Sequence, residues 1–501
     1  MSLAKIGKGI RYLIVLNALQ MASIAAFYYV AARVLSESEI GLIATLAFIY
    51  ATLTTLSSLA LPTAGTKYMA ESLGRGEEAE AAAAAKLVVR LVLLNASIVA
   101  IGFHIALILV IQGIYSNIIP FSLICAASFL ASLKLSYVAF LQGLQLFDRY
   151  ITANLSTTIT SHLVGILLVL KFGLAGYALG TLTGEIAGLT LVLLFYRRQL
   201  PKTTLSHSYG KLLKFSAPIF IMQVVALFSD WADRILFLAI SLNLALLGVY
   251  DLSVRTAASI LVISGFVEGA TLPILSKIYG RAGEKDITPL LRRAIRYLGF
   301  MYFPVAFGLA AASQTVTTML YGQAYAEGSI PLAALSISSI LVAHSTLLSA
   351  ALKSIGKTQA FIRISLASLL ISAILVTGST PFLGIMGAAL ARVSSSLLAF
   401  TLTLRELRSW IKVEVDMDGL WKGLLCSGIS SASLLLFTTL HVSSVAIDLP
   451  LGIGLGIVSY GFALLLSGTL SREDFLVFRQ VIPQLTSLID MLEKSFSKFI
   501  K

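Results

Sequence analysis

The sequence predicts an all-α, polytopic membrane protein of fourteen transmembrane helices, built as two parallel six-helix lobes with two helices added at the end. Three observations predict it. The first is composition: of 501 residues, 57% are hydrophobic and 12% charged, with a mean hydropathy of +0.91. A soluble domain is roughly 45–50% apolar and about 25% charged, so this chain has too little polar surface to solvate a globule of its length. The second is that the apolar residues fall in runs of about 18 or more, each long enough to cross a hydrocarbon core as helix. The third is that segments of the first half recur in the second at near-constant offsets. Soluble enzymes, disordered scaffolds and nucleic-acid modules are excluded, and the pI near 9.6 has another explanation below.

The first span, 12–32, follows Lys5, Lys8 and Arg11 and has no small-residue cleavage site, so it reads as a membrane helix and not a removable signal peptide. Spans 41–62, 87–111, 118–141, 153–171 and 174–196 complete a first set of six. A second six covers 215–240, 246–273, 294–319, 330–352, 361–379 and 383–404, and the two additions are 421–441 and 446–469. All are far longer than the roughly 10 residues of a tilted barrel strand and lack its alternation. The odd-numbered connections are short: 33–40, 112–117, 172–173, 241–245, 320–329, 380–382 and 442–445. The even-numbered ones are mostly longer and basic. With both termini and the adjoining span ends, they hold about 31 of the 37 Lys and Arg, whereas the odd connections hold only Arg33 and Lys171. The positive-inside rule then puts both termini in the cytoplasm, within the cytoplasmic membrane. The net charge of +13 is a topology signal and a match to anionic membrane lipids, with no nucleic-acid partner implied. Cys125 and Cys426 lie inside apolar runs, so no disulfide is expected.

After the last span, Leu485, Leu488, Ile489, Leu492, Phe496, Phe499 and Ile500 recur at helical spacing, with Lys494, Lys498 and Lys501 on another face. That pattern predicts an amphipathic helix on the inner leaflet. The expected division is an N-lobe at 1–200, a cytoplasmic linker at 201–214, a C-lobe at 215–410, two further spans within 411–470 and a tail at 471–501.

At an offset of 207 residues Gly41 falls on Gly248 and Gly76-Glu77 on Gly283-Glu284. At 211, Gly173 falls on Gly384, Gly176 on Gly387 and Ala178 on Ala389. Six is even, so both copies start on one side and the repeat is parallel, about an axis along the membrane normal. The stretches ARVLSESEIGL (32–42), LPTAGTKYMAE (61–71) and LGIMGAALAR (383–392) also resemble the polysaccharide-biosynthesis exporters of the multidrug/oligosaccharidyl-lipid/polysaccharide superfamily. The resemblance covers about residues 1–410. The fourteen-span count is similar to lipid II and O-antigen-type flippases, whereas multidrug exporters of the superfamily usually have twelve. It implies two lobes forming a V around a central cavity that opens alternately to either side. The implied cargo is an oligosaccharide on a polyprenyl phosphate or diphosphate, with glycan-assembly enzymes as partners.

Ionisable groups inside spans are expensive and therefore candidates for function. At 1.5 Å rise per residue, Arg255 and Arg392 lie roughly 14 Å into spans 8 and 12, and Glu185 roughly 16 Å into span 6. Lys134 lies in the inner half of span 4; Arg234, Asp230 and Asp233 lie in the outer half of span 7. Lys134, Arg234, Arg255 and Arg392 are expected to face the cavity and hold the lipid phosphate, because a phosphate leaving water needs charge-assisted hydrogen bonds. Local pairing is the alternative, since Asp230 with Arg234 and Asp251 with Arg255 are spaced i,i+4; Arg392 has no carboxylate at that spacing. Asp230, Asp233 and Glu185 could instead couple transport to H+ or Na+, and the resemblance to sodium-coupled relatives points to Asp233. No cofactor or metal site is expected: His104, His162 and His344 have no ligand spacing.

A membrane glycosyltransferase or polymerase would need an aqueous site on a substantial external loop. The longest external connection is about ten residues (320–329), and no Gly-rich phosphate loop or HExxH is present. A multidrug antiporter is nearer, but the four cations Lys134, Arg234, Arg255 and Arg392 balance the four carboxylates Glu185, Asp230, Asp233 and Asp251. Arg392, with no carboxylate three or four residues away in sequence, and the motifs favour an anionic cargo. With no ATPase segment, an ion gradient, the membrane potential or the cargo gradient must drive transport.

Overall fold

The computed structural model of the chain describes residues 3–111, 118–197, 209–282, 287–357, 359–439, 445–471, 474–476, 479 and 486–496. Gly283, residues 201–208 of the linker, and Leu485, Lys498, Phe499, Ile500 and Lys501 of the tail lie outside them. The helices are α1 (Leu3–Val34), α2 (Glu37–Ser58), α3 (Leu61–Gly74), α4 (Glu78–Ile111), α5 (Ile119–Gly143), α6 (Phe147–Phe172), α7 (Leu174–Tyr196), α8 (Tyr209–Ser241), α9 (Leu244–Ser259), α10 (Val262–Ala282) and α11 (Ile287–Ala311). They continue as α12 (Ser313–Tyr321), a 3-10 turn (Gln323–Gly328), α13 (Ser329–Ser354), α14 (Ala360–Arg408), α15 (Met417–Thr439), α16 (Val445–Leu466) and α17 (Thr486–Ser495), with no strand among the described residues.

Among the described residues, twelve helical stretches are long and apolar enough to cross a membrane. The difference from the expected fourteen lies in two places. Helix α14 counts once over 49 residues, yet Gly384 inside it has φ 54° and ψ −133° and separates two helical runs. The apolar stretch Ala18–Val34 of α1 is shorter than the others. The chain packs as two compact units, residues 1–238 with 242–248, and residues 239–241 with 249–501.

In unit 1, α2 begins at a capping box that its S-x-x-E sequence announces. Ser36 Oγ accepts from the Glu39 backbone N–H at 3.3 Å, and Glu39 Oε2 accepts from the Ser36 N–H at 2.9 Å. The second span is then interrupted. Leu59 and Ala60 both take left-handed conformations, φ 49° and 54°, at a cost of roughly 1–2 kcal/mol each for residues carrying a Cβ. Pro62 follows in the first turn of α3, where its missing N–H costs nothing. The carbonyls orphaned at the end of α2 find a donor across the bundle: Asn95 Nδ2 of α4 donates to Leu56 O at 2.7 Å and Ser57 O at 2.9 Å.

Helix α7 is laid against α6 by a four-residue glycine stripe, Gly176, Gly180, Gly184 and Gly188. A Cβ at Gly180 would lie 2.6 Å from Gly165 Cα, and one at Gly184 would overlap Ser161 Oγ and approach Thr157 O to 2.6 Å. Only hydrogen at these positions lets the two backbones come so close. Gly173, just before α7, has φ 56° and ψ −133°, the same conformation as Gly384 at the 211-residue offset. The match continues: a Cβ on Gly176 would overlap the Leu168 carbonyl group, and one on Gly387 would lie 2.8 Å from Ser379 O, the residue 211 positions on from Leu168. Reciprocity also appears at the 207 offset, within unit 1. A Cβ on Gly41 would overlap Leu244 O and one on Gly248 would overlap Glu37 O. Residues 37 and 41 thus each meet the other's repeat counterpart.

In unit 2 the core gathers Leu275, Leu291, Tyr302, Leu347 and Leu407 from α10, α11, α13 and α14. The added helices α15 and α16 close on α11: Tyr460 donates to Phe300 O at 2.8 Å, and Ser430 of α15 donates to Gly456 O of α16 at 2.7 Å. Beyond α16, buried Asp474 accepts from Arg296 Nη2, the Tyr297 hydroxyl and the Ser471 N–H, each at 2.7 Å. Arg296 also lies 3.4 Å from Asp416, so one guanidinium on α11 ties both ends of the added pair. The tail returns to it as well, with Phe496 edge-on to Phe462 of α16 at 5.9 Å.

Candidate functional site

The glycine stripe on α7 decides what sits beside it. Gly188 leaves room for the Thr157 hydroxyl of α6 and for the Lys134 stem of α5, which a Cβ would approach to 3.1 Å. Lys134 therefore reaches Glu185, one turn back on α7. Its Nζ lies 2.8 Å from Oε2 and 3.0 Å from Oε1 and donates to Thr157 Oγ1 at 3.2 Å. The Tyr50 hydroxyl of α2 donates to Glu185 Oε1 at 2.7 Å. The ion pair is sealed, with side chains 8% and 3% exposed. Two candidates 51 residues apart thus form one neutral cluster, and the charge on Lys134 is held by Glu185.

The other candidates fall into two groups. On α8, Arg234 Nη2 donates to the Asp230 backbone carbonyl at 2.7 Å, its Nε lies 3.8 Å from Asp233 Oδ1, and its guanidinium lies 3.8 Å over the Trp231 ring. Asp233 is buried and Asp230 exposed. In unit 2, Arg255 Nε donates to fully buried Asp251 at 2.5 Å, the i,i+4 pair the spacing allowed. One residue on, Thr256 shares a 2.8 Å hydrogen bond with Tyr321, and Ser253 donates to Gly328 O at 2.8 Å, which folds the connection after α12 onto α9. Arg392 is half-buried on α14, eight residues past the Gly384 break. The rings of His104, His162 and His344 each place Nδ1 2.7–2.9 Å from the carbonyl four residues back. That is helix packing.

Sequence reasoning did not find Tyr50, Thr157, Trp231 or Tyr321. Each is neutral and carries no signature until a charged side chain from another turn or helix meets it. The glycine spacing on α7 was the available signal, because it says that whatever flanks the stripe is pressed against α6.

Charges kept inside apolar helices, paired between α5 and α7 and within α8 and α9, on a chain whose second span breaks at Leu59–Ala60 and whose α14 breaks at Gly384, define a multi-pass membrane protein. The fold is similar to that of the lipid II flippase MurJ in an inward closed conformation, with TM-score 0.69 and 16% identity over 94% of this chain and 100% of that one. It is also similar to an inward-facing MATE-family multidrug resistance transporter of the MOP superfamily, with TM-score 0.62 and 15% identity over 79% of this chain and 98% of that one. Residues 30–330 match the family described as polysaccharide biosynthesis protein, and the chain belongs to that family. Two relatives from Haloferax volcanii are the probable flippase AglR, 24% identical over 52% of this chain and 53% of the relative, and the probable low-salt glycan biosynthesis flippase Agl15, 23% identical over 54% and 57%. The chain spans about half the length of these curated relatives.

Proposed function

We propose that this protein is a flippase that moves a lipid-linked oligosaccharide across the cytoplasmic membrane by alternating access, without a covalent step. The observation that carries the reading is the extent of the fold likeness. Similarity to a lipid II flippase runs over 94% of the chain, whereas similarity to a multidrug transporter stops at 79%. Both relatives bearing flippase names agree with it.

In this reading the termini are cytoplasmic, the two repeats are the lobes, and Arg255, Arg392 and Arg234 hold the lipid phosphate through planar, bidentate contacts. Lys134 acts together with Glu185. Protonating Glu185, or placing Na+ on it, removes the counter-charge of Lys134 and links an ion to the arrangement of α5 and α7. Asp233 beside Arg234 is a second coupling position. Glycan-assembly enzymes supply the cargo on the cytoplasmic face, and membrane lipids surround the protein.

The test is translocation of lipid-linked oligosaccharide in proteoliposomes and in cells lacking their own flippase. The wild-type protein should restore glycan export. Efflux of cationic drugs with no movement of glycolipid would assign the multidrug reading instead.

A further inference from the structure

Near the end of unit 1 that carries its basic connections, four helices leave a recess of about 410 Å³, within the range of small-ligand pockets, roughly 300–1,000 Å³. Its floor is apolar, from Pro62, Leu135, Val138 and Ala139. Its rim is not. Thr63 of α3, Gln142 of α5, and Tyr150 and Asn154 of α6 line it, with Lys67 and Phe215 at the side. Thr63 and Lys67 fall within the stretch LPTAGTKYMAE (61–71), but none of the rim residues was a candidate for binding on sequence grounds, because each looks like an ordinary residue near a span end.

The polar rim does not hold the helices together. Among the described residues none hydrogen-bonds to the side chains of Thr63, Gln142, Tyr150 or Asn154. Thr66, one turn from Thr63, shows the contrast: its hydroxyl is spent on Ala139 O at 3.0 Å and Pro62 O at 3.3 Å. Two carboxamides and two hydroxyls lining one recess offer several donors and acceptors together, none of them taken up by the surrounding helices. The Lys67 ammonium is held 4.3 Å from the Phe215 ring centroid and 3.7 Å from Glu71, which keeps a cation and an aromatic face at the edge.

We infer that this recess is a saccharide subsite that receives the sugar end of the lipid-linked cargo. A sugar ring presents vicinal hydroxyls, each donor and acceptor at once, which suit carboxamides and hydroxyls. Its C–H face suits Phe215 and Tyr150, and an acidic group on it suits Lys67. An acyl or prenyl chain would leave all four rim groups unsatisfied, and a bare anion would use only Lys67. The inference rests on the flippase reading and adds to it the place where the glycan is recognised, within unit 1, whereas the arginines of α9 and α14 belong to unit 2.

The test uses the full chain in nanodiscs with a Thr63→Cys substitution, Thr63 being exposed and the native Cys125 and Cys426 buried. The readout is maleimide labelling of that cysteine. One probe is the lipid-linked oligosaccharide fraction extracted from the source cells. The second is the same fraction after mild acid has released the glycan, and the third is the released glycan. The intact fraction should slow labelling at least fivefold, the released glycan should do so only at far higher concentration, and the lipid remnant should not. Adding Gln142→Ala and Asn154→Ala should remove the protection. Equal protection by the lipid remnant, or protection unchanged in the double variant, would overturn the inference. So would no protection from a wild-type background that still moves the glycolipid. Should that protein move no glycolipid at all, the flippase reading itself fails, which separates the two.

Discussion

At the scale of single residues the chain's chemistry is one of paired charges in an apolar medium. Removing one member of a buried pair strands the other, at a cost of about 3–5 kcal/mol, whereas replacing both by neutral groups can be nearly free. Lys134→Met or Glu185→Gln alone should therefore lower the thermal midpoint of the detergent-solubilised protein by several degrees, and the double variant should recover most of it. If the cluster also couples an ion to transport, the stable double variant stays inactive in the translocation assay. The Asp251–Arg255 pair asks the complementary question. Should Arg255 exist only to neutralise Asp251, the double change Asp251→Asn with Arg255→Gln would restore transport lost in Arg255→Gln. We expect it to stay inactive, as Arg392→Ala should, with Lys at either position restoring part of the rate. These pairs also show what a sequence can reveal. Asp251 and Arg255 are one helical turn apart, so their contact follows from spacing. Lys134 and Glu185 meet only because α5, α6 and α7 converge, and Tyr50, a neutral residue on a fourth helix, gave no sign of joining them.

At the scale of elements, hydropathy located the helices well, because a polar gap in a membrane span is expensive and apolar runs leave little ambiguity. It did not locate the interruption inside the second span. The break at Leu59–Ala60 contains neither glycine nor proline, and its stability comes from Asn95 of α4, which no local pattern announces. Asn95→Leu should leave the carbonyls of Leu56 and Ser57 without this donor and destabilise the protein by about 1–3 kcal/mol, read as a drop in thermal midpoint. The stripe on α7 makes a sharper prediction. Gly184→Val would drive a branched side chain into Ser161 and the Thr157 carbonyl, and should abolish accumulation of folded protein in the membrane. Ser161→Ala in the same chain should not rescue it, since the backbone of α6 remains in the way. Gly428, with open space around its Cβ position, should accept Ala with little change.

At the scale of the whole molecule the repeat was legible as offsets, and the structure gives the offsets a physical content. Gly173 and Gly384 share a backbone conformation that residues with a Cβ rarely adopt, and the carbonyl groups they bring close, at Leu168 and Ser379, are themselves 211 residues apart. A duplicated sequence keeps such a pair only if both copies still fold the same way. What the offsets leave open is the direction of each copy in the membrane, and that is testable at one pair of sites. Phe172 and Leu383 are counterparts at the 211 offset, 48% and 51% exposed. Six spans separate them in a parallel repeat, so cysteines placed singly at the two positions should react from the same side. The cation distribution makes that side the outside, so an impermeant maleimide should label both in intact cells. Glu78→Cys, in the exposed start of α4, should label only after permeabilisation. An inverted repeat would put Phe172→Cys and Leu383→Cys on opposite sides and remove the parallel architecture. Labelling of both only after permeabilisation, with Glu78→Cys open from outside, would keep the repeat but reverse the orientation. The recess at Thr63 and Gln142 would then face outward, where it could act only in releasing the glycan.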